Sequence, residues 1–196
     1  VIYRADQDTD EVSELYSVPI DGSSVAVKLN LTLVQGGDVS NNLIISPDSR
    51  RVIYIADQDT DGVNELYSVS IDGSSAAVKL NSDLGQGGNV SNPSISPDST
   101  RVIYSADQDT DRVNELYSVP IDGSSAAVKL NSRLFVFREF AISPDSRRVI
   151  YTADQDTDYV VELYSVPIDG SSPAVKLYPN LAQEGDLIWP IISPDS

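Results

Sequence analysis

The chain has 196 residues, with 13 Lys and Arg against 30 Asp and Glu, so its formal net charge is −17 and its pI lies near 4.1. Such an excess of carboxylates argues against nucleic-acid binding, which needs clustered Lys and Arg, and against adsorption to anionic membranes. The chain contains no Cys and no His, which excludes disulfides, thiol catalysis and a Ser-His-Asp triad, and no apolar run approaches the roughly 20 residues of a transmembrane helix.

One unit is repeated four times along the chain. The segment VIYxADQDTD begins at Val1, Val52, Val102 and Val149, and each copy continues through ELYSV, IDGSS and AVKL to a variable stretch that ends in ISPDS. Within a unit, four short segments rich in Val, Ile and Tyr predict four strands, and no segment shows a helical period. One set of four such segments is Asn42–Ile45, just before an SPDS, followed by Arg51–Ala56, Glu65–Ile71 and Ala77–Asn81.

Two turns of the unit have recognisable chemistry. Pro47-Asp48 predicts a type I turn, because Pro sets φ and Asp bonds nearby backbone amides. Asp72-Gly73 predicts a tight hairpin between the third and fourth strands.

Repeated four-stranded units are typical of a β-propeller. We therefore predict an all-β fold, a β-propeller of four four-stranded blades that occupies residues 1–196 as a single domain. The chain begins at the second strand of a blade and ends at the first strand of a blade. The C-terminal strand, about Leu187–Ile192, would thus complete the blade begun by residues 1–30 and close the ring, which would also cover strand edges. The alternatives are a part of a larger ring and an array that does not close.

The repeat resembles a known family. ISPDSRRVIY followed by ELYSVPIDG is similar to the TolB-like propeller repeat, and the resemblance extends over all four units. Ser follows SPD in every unit where the family has Gly. The resemblance implies the propeller fold and a location outside the cytoplasm, either periplasmic or secreted, but it is a poor guide to function.

An acidic loop that begins with DQDTD joins the second and third strands of every blade. If its first Asp is position 1, a Glu occupies position 9. Each close pair of such carboxylates repels by about 4 kcal/mol at roughly 4 Å and an effective dielectric near 20. The loops therefore predict bound cations. Oxygens from positions 1, 3, 5 and 9 and the carbonyl of position 7 form a hard ligand set that suits Ca²⁺.

The loop also resembles the DxDxDGxxD calcium loop of integrin α-chain blades. We predict up to four structural Ca²⁺ ions, and the alternative is an acidic loop that only keeps the protein soluble. The candidate ligands are Asp6, Asp8, Asp10, Val12, Glu14, Asp57, Asp59, Asp61, Val63, Glu65, Asp107, Asp109, Asp111, Val113, Glu115, Asp154, Asp156, Asp158, Val160 and Glu162.

Position 6 of the acidic loop should adopt positive φ, which Gly tolerates best. Gly62 occupies this position in the second loop, and the other loops carry Glu11, Arg112 and Tyr159. We therefore expect the second loop to bind calcium most tightly.

The loops between units vary most and, in propeller geometry, should lie at the same end as the acidic loops. The third carries Arg133, Phe135, Phe137 and Arg138, and the last carries Trp189, the single Trp. These residues are a candidate ligand patch. Alternatively, the aromatic residues fill the space left by a shorter loop, and Trp189 lies in the core.

Three functions remain open. The favoured one is a calcium-stabilised, non-enzymatic binding or scaffold module that recognises a protein, peptide or glycan through its variable loops. A structural fragment or oligomer-forming part of a larger propeller is the second. A carboxylate- or calcium-dependent glycan-active enzyme is the least favoured, because catalysis needs residues that occur once, and here only Glu139 and Asp186 qualify.

Overall fold

The structure is a computed structural model that describes residues 1–84, 87–110, 112–131, 136–156, 160–177 and 191–194, without the side chains of 136–139. The described residues form fifteen strands. They are β1 (Ile2–Ala5), β2 (Glu14–Ser17), β3 (Val27–Lys28), β4 (Val39–Ile45), β5 (Arg51–Ala56), β6 (Glu65–Ser70), β7 (Val78–Lys79), β8 (Val90–Ile95), β9 (Arg101–Ala106), β10 (Glu115–Pro120), β11 (Val128–Lys129), β12 (Val136–Ile142), β13 (Arg148–Ala153), β14 (Glu162–Pro167) and β15 (Val175–Lys176). No helix able to cross a membrane occurs in the described part of the chain.

The strands form four antiparallel sheets in which sequential strands are neighbours. Blade 1 contains β1–β3, blade 2 contains β4–β7, blade 3 contains β8–β11 and blade 4 contains β12–β15. The prediction of an all-β fold built from four propeller blades is thus confirmed. The strand expected to complete blade 1, about Leu187–Ile192, lies outside the described residues except for its last two, so ring closure stays a prediction.

Of the two predicted turns, the one at Pro47-Asp48 forms as expected and the one at Asp72-Gly73 does not. Ser49 N donates to Ser46 O at 2.7 Å, and the Asp48 carboxylate accepts from Arg50 N at 3.1 Å, as the Pro-Asp turn predicts. The predicted tight hairpin at Asp72-Gly73 is wrong, because strand pairing resumes only at Val78. The Asp72 carboxylate accepts from Ser74 N at 2.9 Å and so extends the turn beyond two residues.

The core lies between the blades. On β5, Val52 and Tyr54 face blade 1 and join one apolar cluster, while Ile53 and Ile55 face blade 3 and join another. This alternation follows from the two-residue period of a strand. We call the side facing the preceding blade the leading face and the side facing the next blade the trailing face. Three such clusters join blades 1 and 2, blades 2 and 3, and blades 3 and 4.

Hydrogen bonds between SPDS turns also tie the blades together. Asp48 N donates to Ser99 Oγ of the next blade at 3.0 Å, and Asp98 N donates to Ser146 Oγ at 3.0 Å. Ser99 and Ser146 have φ of 63° and 61°, a conformation that normally favours Gly. Ser therefore replaces the Gly of the TolB-like repeat at a conformational cost, and its hydroxyl gains a bond between blades.

Ser99→Ala and Ser146→Ala should each lower the free energy of unfolding by about 1 kcal/mol, the usual contribution of one such hydrogen bond. Urea denaturation measures this. Ser49→Ala is the matched control, because Ser49 has the same backbone conformation (φ 59°) and accepts no bond from a preceding SPDS turn in the described structure. Equal effects at all three positions would contradict the role of the hydroxyl.

Candidate functional site

The acidic loops and the loops between blades lie at the same end of the blades, as predicted. Val34 N donates to Gln58 O at 3.1 Å, and Asp38 N donates to the Asp57 carboxylate at 2.5 Å. In the next blade, Asn89 N donates to the Asp107 carboxylate at 2.6 Å. We call this end, with its DQDTD and interblade loops, the acidic end.

A lysine of the same blade neutralises the Glu of each acidic loop. Glu65 is only 4% exposed, and Lys79 Nζ donates to its Oε1 at 2.7 Å and to Asp59 Oδ2 at 3.2 Å. The same arrangement recurs as Lys28 with Glu14 and Asp8, Lys129 with Glu115 and Asp109, and Lys176 with Glu162 and Asp156. An internal cation thus pairs with two of the four carboxylates of every loop.

Two stacked tyrosines complete this arrangement. Tyr67 OH donates to Glu65 Oε2 at 2.7 Å, and Tyr54 OH donates to Gln58 Oε1 at 3.2 Å. The two rings stack with centroids 5.3 Å apart. Equivalent stacks are Tyr3–Tyr16, Tyr104–Tyr117 and Tyr151–Tyr164. The Gln of each DQDTD loop therefore accepts a hydrogen bond from the Tyr of the VIY segment in the same blade.

The lysine and tyrosine bonds set the charge state of the buried Glu residues. Burial raises the pKa of Glu14, Glu115 and Glu162, but hydrogen bonds from Lys and Tyr outweigh burial, and the net pKa of each lies below its ordinary value. Burial first, and then the neighbouring Glu, raise the pKa of the paired tyrosines, which stay neutral donors. These three Glu residues are thus held ionised inside their blades.

The first carboxylate of the loop shapes the backbone. Asp57 accepts from Gly62 N at 3.1 Å in addition to Asp38 N. Position 6 adopts positive φ as predicted, at 74° for Gly62, 62° for Glu11 and 60° for Arg112. Tyr159 lies outside the described residues.

The predicted calcium ligands are not gathered around one point. In the described part of the chain no group of three carboxylates is placed to hold a metal ion. The Glu at position 9 accepts hydrogen bonds from Lys and Tyr side chains, and Asp57 accepts hydrogen bonds from backbone amides. Val12, Val63 and Val113 close turns through bonds from their N–H groups to the Thr three residues earlier. Asp111 and Asp158 lie outside the described residues, and calcium binding stays a prediction that requires the loops to rearrange.

Sequence reasoning missed the lysines. Each lies in AVKL, 14 residues after the Glu it binds. This fixed offset was a usable signal, since the lysine is the only cation that recurs in every unit.

A cavity of about 590 Å³ opens at the acidic end of blade 2. Asp59, Asp61 and Asp83 line it together with Val63 and Leu84. The Asp59 side chain is 51% exposed and that of Asp83 is fully exposed, so a ligand can reach both carboxylates, which lie 3.2 and 3.6 Å from the Nζ of Lys79 in the same cavity. The cavity therefore offers acidic groups beside apolar contacts.

The predicted ligand patch falls mostly outside the described residues. This holds for Arg133, Phe135 and Trp189, and for the side chains of Phe137 and Arg138 on β12. The neighbouring Phe140 packs against the apolar cluster between blades 3 and 4, which favours a packing role at that position.

Comparison with known proteins gives no matching family model and no matching curated protein. Among solved structures, a protein described as TolB from Agrobacterium tumefaciens is 18% identical, with 90% of this chain covering 60% of that one at a TM-score of 0.53. Oligopeptidase B from Leishmania major is 8% identical, with 92% of this chain covering 25% of that one at 0.56. A puromycin-hydrolyzing peptidase from Mycobacterium tuberculosis is 16% identical, with 91% covering 30% at 0.54.

The chain thus spans at most 60% of the length of these structures. At such identities the likeness establishes the fold alone. The chain has the TolB-like β-propeller fold.

Proposed function

We propose that the chain is a non-enzymatic binding module whose acidic end recognises a basic segment of a protein or peptide. The observation that supports this is the cavity of blade 2, where exposed Asp59, Asp61 and Asp83 adjoin Val63 and Leu84. The net charge of −17 adds a long-range field that attracts cationic partners and speeds their association.

The arrangement of the carboxylates supports binding over catalysis. Every described acidic loop has the same Glu–Lys pair, so these carboxylates serve each blade alike. A catalytic pair would need two acids with pKa values pushed apart. The peptidases that this chain resembles are matched over only 25–30% of their length. The side chains of Glu139 and Asp186, the candidates for a glycan-active site, lie outside the described residues.

Titration with a Lys- and Arg-rich peptide tests the proposal by calorimetry. The double variant Asp61→Asn/Asp83→Asn should weaken binding about fivefold, because two exposed ion pairs contribute about 0.5 kcal/mol each. Salt should weaken binding of the unmodified protein as well. The matched control, Asp72→Asn/Asp122→Asn, removes the same charge at the opposite end and should leave affinity unchanged. Equal loss in both variants, or preference for a Glu-rich peptide, would refute recognition at the acidic end.

Calcium is a second proposal for the same loops. The exposed Asp59 and Asp61 support it, since both could turn to a cation without breaking the Glu65–Lys79 pair. The titration is repeated in about 1 mM CaCl₂, which lies within the range in which extracellular modules bind calcium. Calcium should weaken binding of the peptide by competition, whereas MgCl₂ at the same concentration should not. No difference between the two salts would contradict a calcium site here.

A location outside the cytoplasm belongs to the same proposal. It rests on the TolB-like fold, and a calcium-dependent module would find its ion at millimolar concentration there.

A further inference from the structure

Among the residues that the structure describes, the first and last blades each present one uncovered face, and the two faces are complementary. On the leading face of blade 1, Val1 is 57% and Ile20 is 90% exposed, whereas the equivalent Val102 and Ile121 of blade 3 are 0% and 6% exposed. On the trailing face of blade 4, Leu177 is 49% exposed. Its equivalents, Leu29, Leu80 and Leu130, are 4–5% exposed. Each uncovered face therefore carries residues that are much less exposed where a further blade packs on them, although Ile71, the equivalent of Ile20 in blade 2, is only half-buried.

Neighbouring blades approach each other closely at one glycine position of the repeat. A Cβ built on Gly123 would lie 3.3 Å from Val78 Cγ2 of the preceding blade, and one built on Gly170 would lie 3.2 Å from Val128 Cγ2. The equivalent Gly22 of blade 1 has no atom within 4 Å of such a Cβ. Val175, the equivalent of Val78 and Val128 on blade 4, is 53% exposed, compared with 41% for Val27, which packs on Gly73 of blade 2. The glycine of IDGSS thus contacts the Val of AVKL in the preceding blade wherever two blades pack together. Gly22 and Val175 occupy these two positions but do not contact such a partner in the described part of the structure.

Charge follows the same pattern. Asp122 of blade 3 interacts electrostatically with Arg51 of blade 2, and Asp169 of blade 4 does so with Arg101 of blade 3. Asp21 on blade 1 and Arg148 on blade 4 occupy the equivalent positions at the two uncovered ends. The leading face of blade 1 is therefore complementary to the trailing face of blade 4 in shape, apolar surface and charge.

We infer that a second copy of this chain covers these faces, so that the leading face of each copy packs on the trailing face of the other. Two copies placed in this way form two identical interfaces about a two-fold axis, which satisfies every uncovered face at once. Each new interface repeats the three blade–blade interfaces that already exist within the chain. Closure of one chain on itself would bury the same residues, but in this structure they are exposed.

The absence of natural Cys allows a direct test by disulfide trapping. The Cβ built on Gly123 lies 3.6 Å from Val78 Cβ, which falls within the roughly 3.5–4.5 Å that a disulfide requires. Gly22→Cys and Val175→Cys chains, prepared separately and mixed under mild oxidation, should form a covalent dimer. The same chains oxidised alone should give much less. Val25→Cys replaces Gly22→Cys in the matched control, because Val25 and its equivalents Ala76, Ala126 and Pro173 are exposed in every blade.

The unmodified chain provides a measurement that needs no variant. Sedimentation equilibrium should give about twice the 21.2 kDa of one chain. Leu177→Lys should restore the mass of one chain, and Val25→Lys should not. Three results would overturn the inference: an intrachain disulfide in a Gly22→Cys/Val175→Cys chain that stays monomeric, no preferential disulfide in the mixture, or a single-chain mass for the unmodified protein at high concentration.

Discussion

Lys79→Met should lower the free energy of unfolding by about 3 kcal/mol. The substitution leaves the Glu65 carboxylate buried with only the Tyr67 hydroxyl as a side-chain partner, and breaking a buried ion pair on one side typically costs about 3–5 kcal/mol. We expect the low end of this range because the Lys79 side chain is 26% exposed and water can replace part of the ammonium. Urea denaturation of the variant at neutral pH measures the loss.

Two further variants separate the buried pair from the general effect of charge. Arg50→Met also removes one cation from a protein of charge −17, but Arg50 is 85% exposed and its partner Asp48 is 3.9 Å away, so the cost should stay below about 0.5 kcal/mol. Glu65→Gln combined with Lys79→Met should recover much of the lost stability, because no uncompensated buried charge remains and Asp59, which also loses its partner, is half-exposed. If Lys79→Met costs no more than Arg50→Met, the lysine is not the cation that neutralises Glu65. Rescue by CaCl₂ would show that calcium can take its place.

Leu66→Ala should lower the free energy of unfolding by about 2–5 kcal/mol. Leu66 is fully buried in the cluster between blades 2 and 3, and truncation there leaves a cavity in the interface. The equivalent Leu163 of blade 4 is only partly buried, so Leu163→Ala should cost about half as much or less. Thermal or urea denaturation in dilute protein, where mass action separates two copies, makes the comparison.

The pair Leu66 and Leu163 also reports on the uncovered trailing face. Both occupy the same position of the repeat, so they differ only in whether a further blade lies against them. A cost for Leu163→Ala that grows with protein concentration would support head-to-tail pairing of two copies. Equal costs at every concentration would mean that the trailing face of blade 4 is covered within one chain, as ring closure predicts.

Acid should destabilise the protein through the buried Glu residues. The folded pKa of Glu14, Glu115 and Glu162 lies below the ordinary value, so their pairing stabilises the fold at neutral pH. That contribution is lost as the pH falls from the ordinary carboxyl pKa through the lowered, folded one. The Lys129→Met chain, whose Glu115 has lost its cation, should instead lose less stability than the unmodified protein over the same range.

Much of this molecule is determined by local sequence. The two-residue alternation of Val52, Ile53 and Tyr54 is sufficient to predict a strand packed on both sides, and four copies of it indicate the propeller blades. The Pro47-Asp48 turn and the positive φ at position 6 of the acidic loop were also predictable. Each depends on the intrinsic preferences of a few consecutive residues.

Tertiary structure decided which cation neutralises the buried Glu of each acidic loop. The register that sets Tyr67 opposite Lys79 brings the ammonium to Glu65, 14 residues away in sequence, where the loop pattern had suggested an external ion. The same holds for Ser99 Oγ, whose donor lies 51 residues away in the preceding blade, and for the uncovered faces marked by Ile20 and Leu177. Periodicity and turn chemistry act between near neighbours in the chain, whereas strand register and blade packing bring together residues that no local pattern connects.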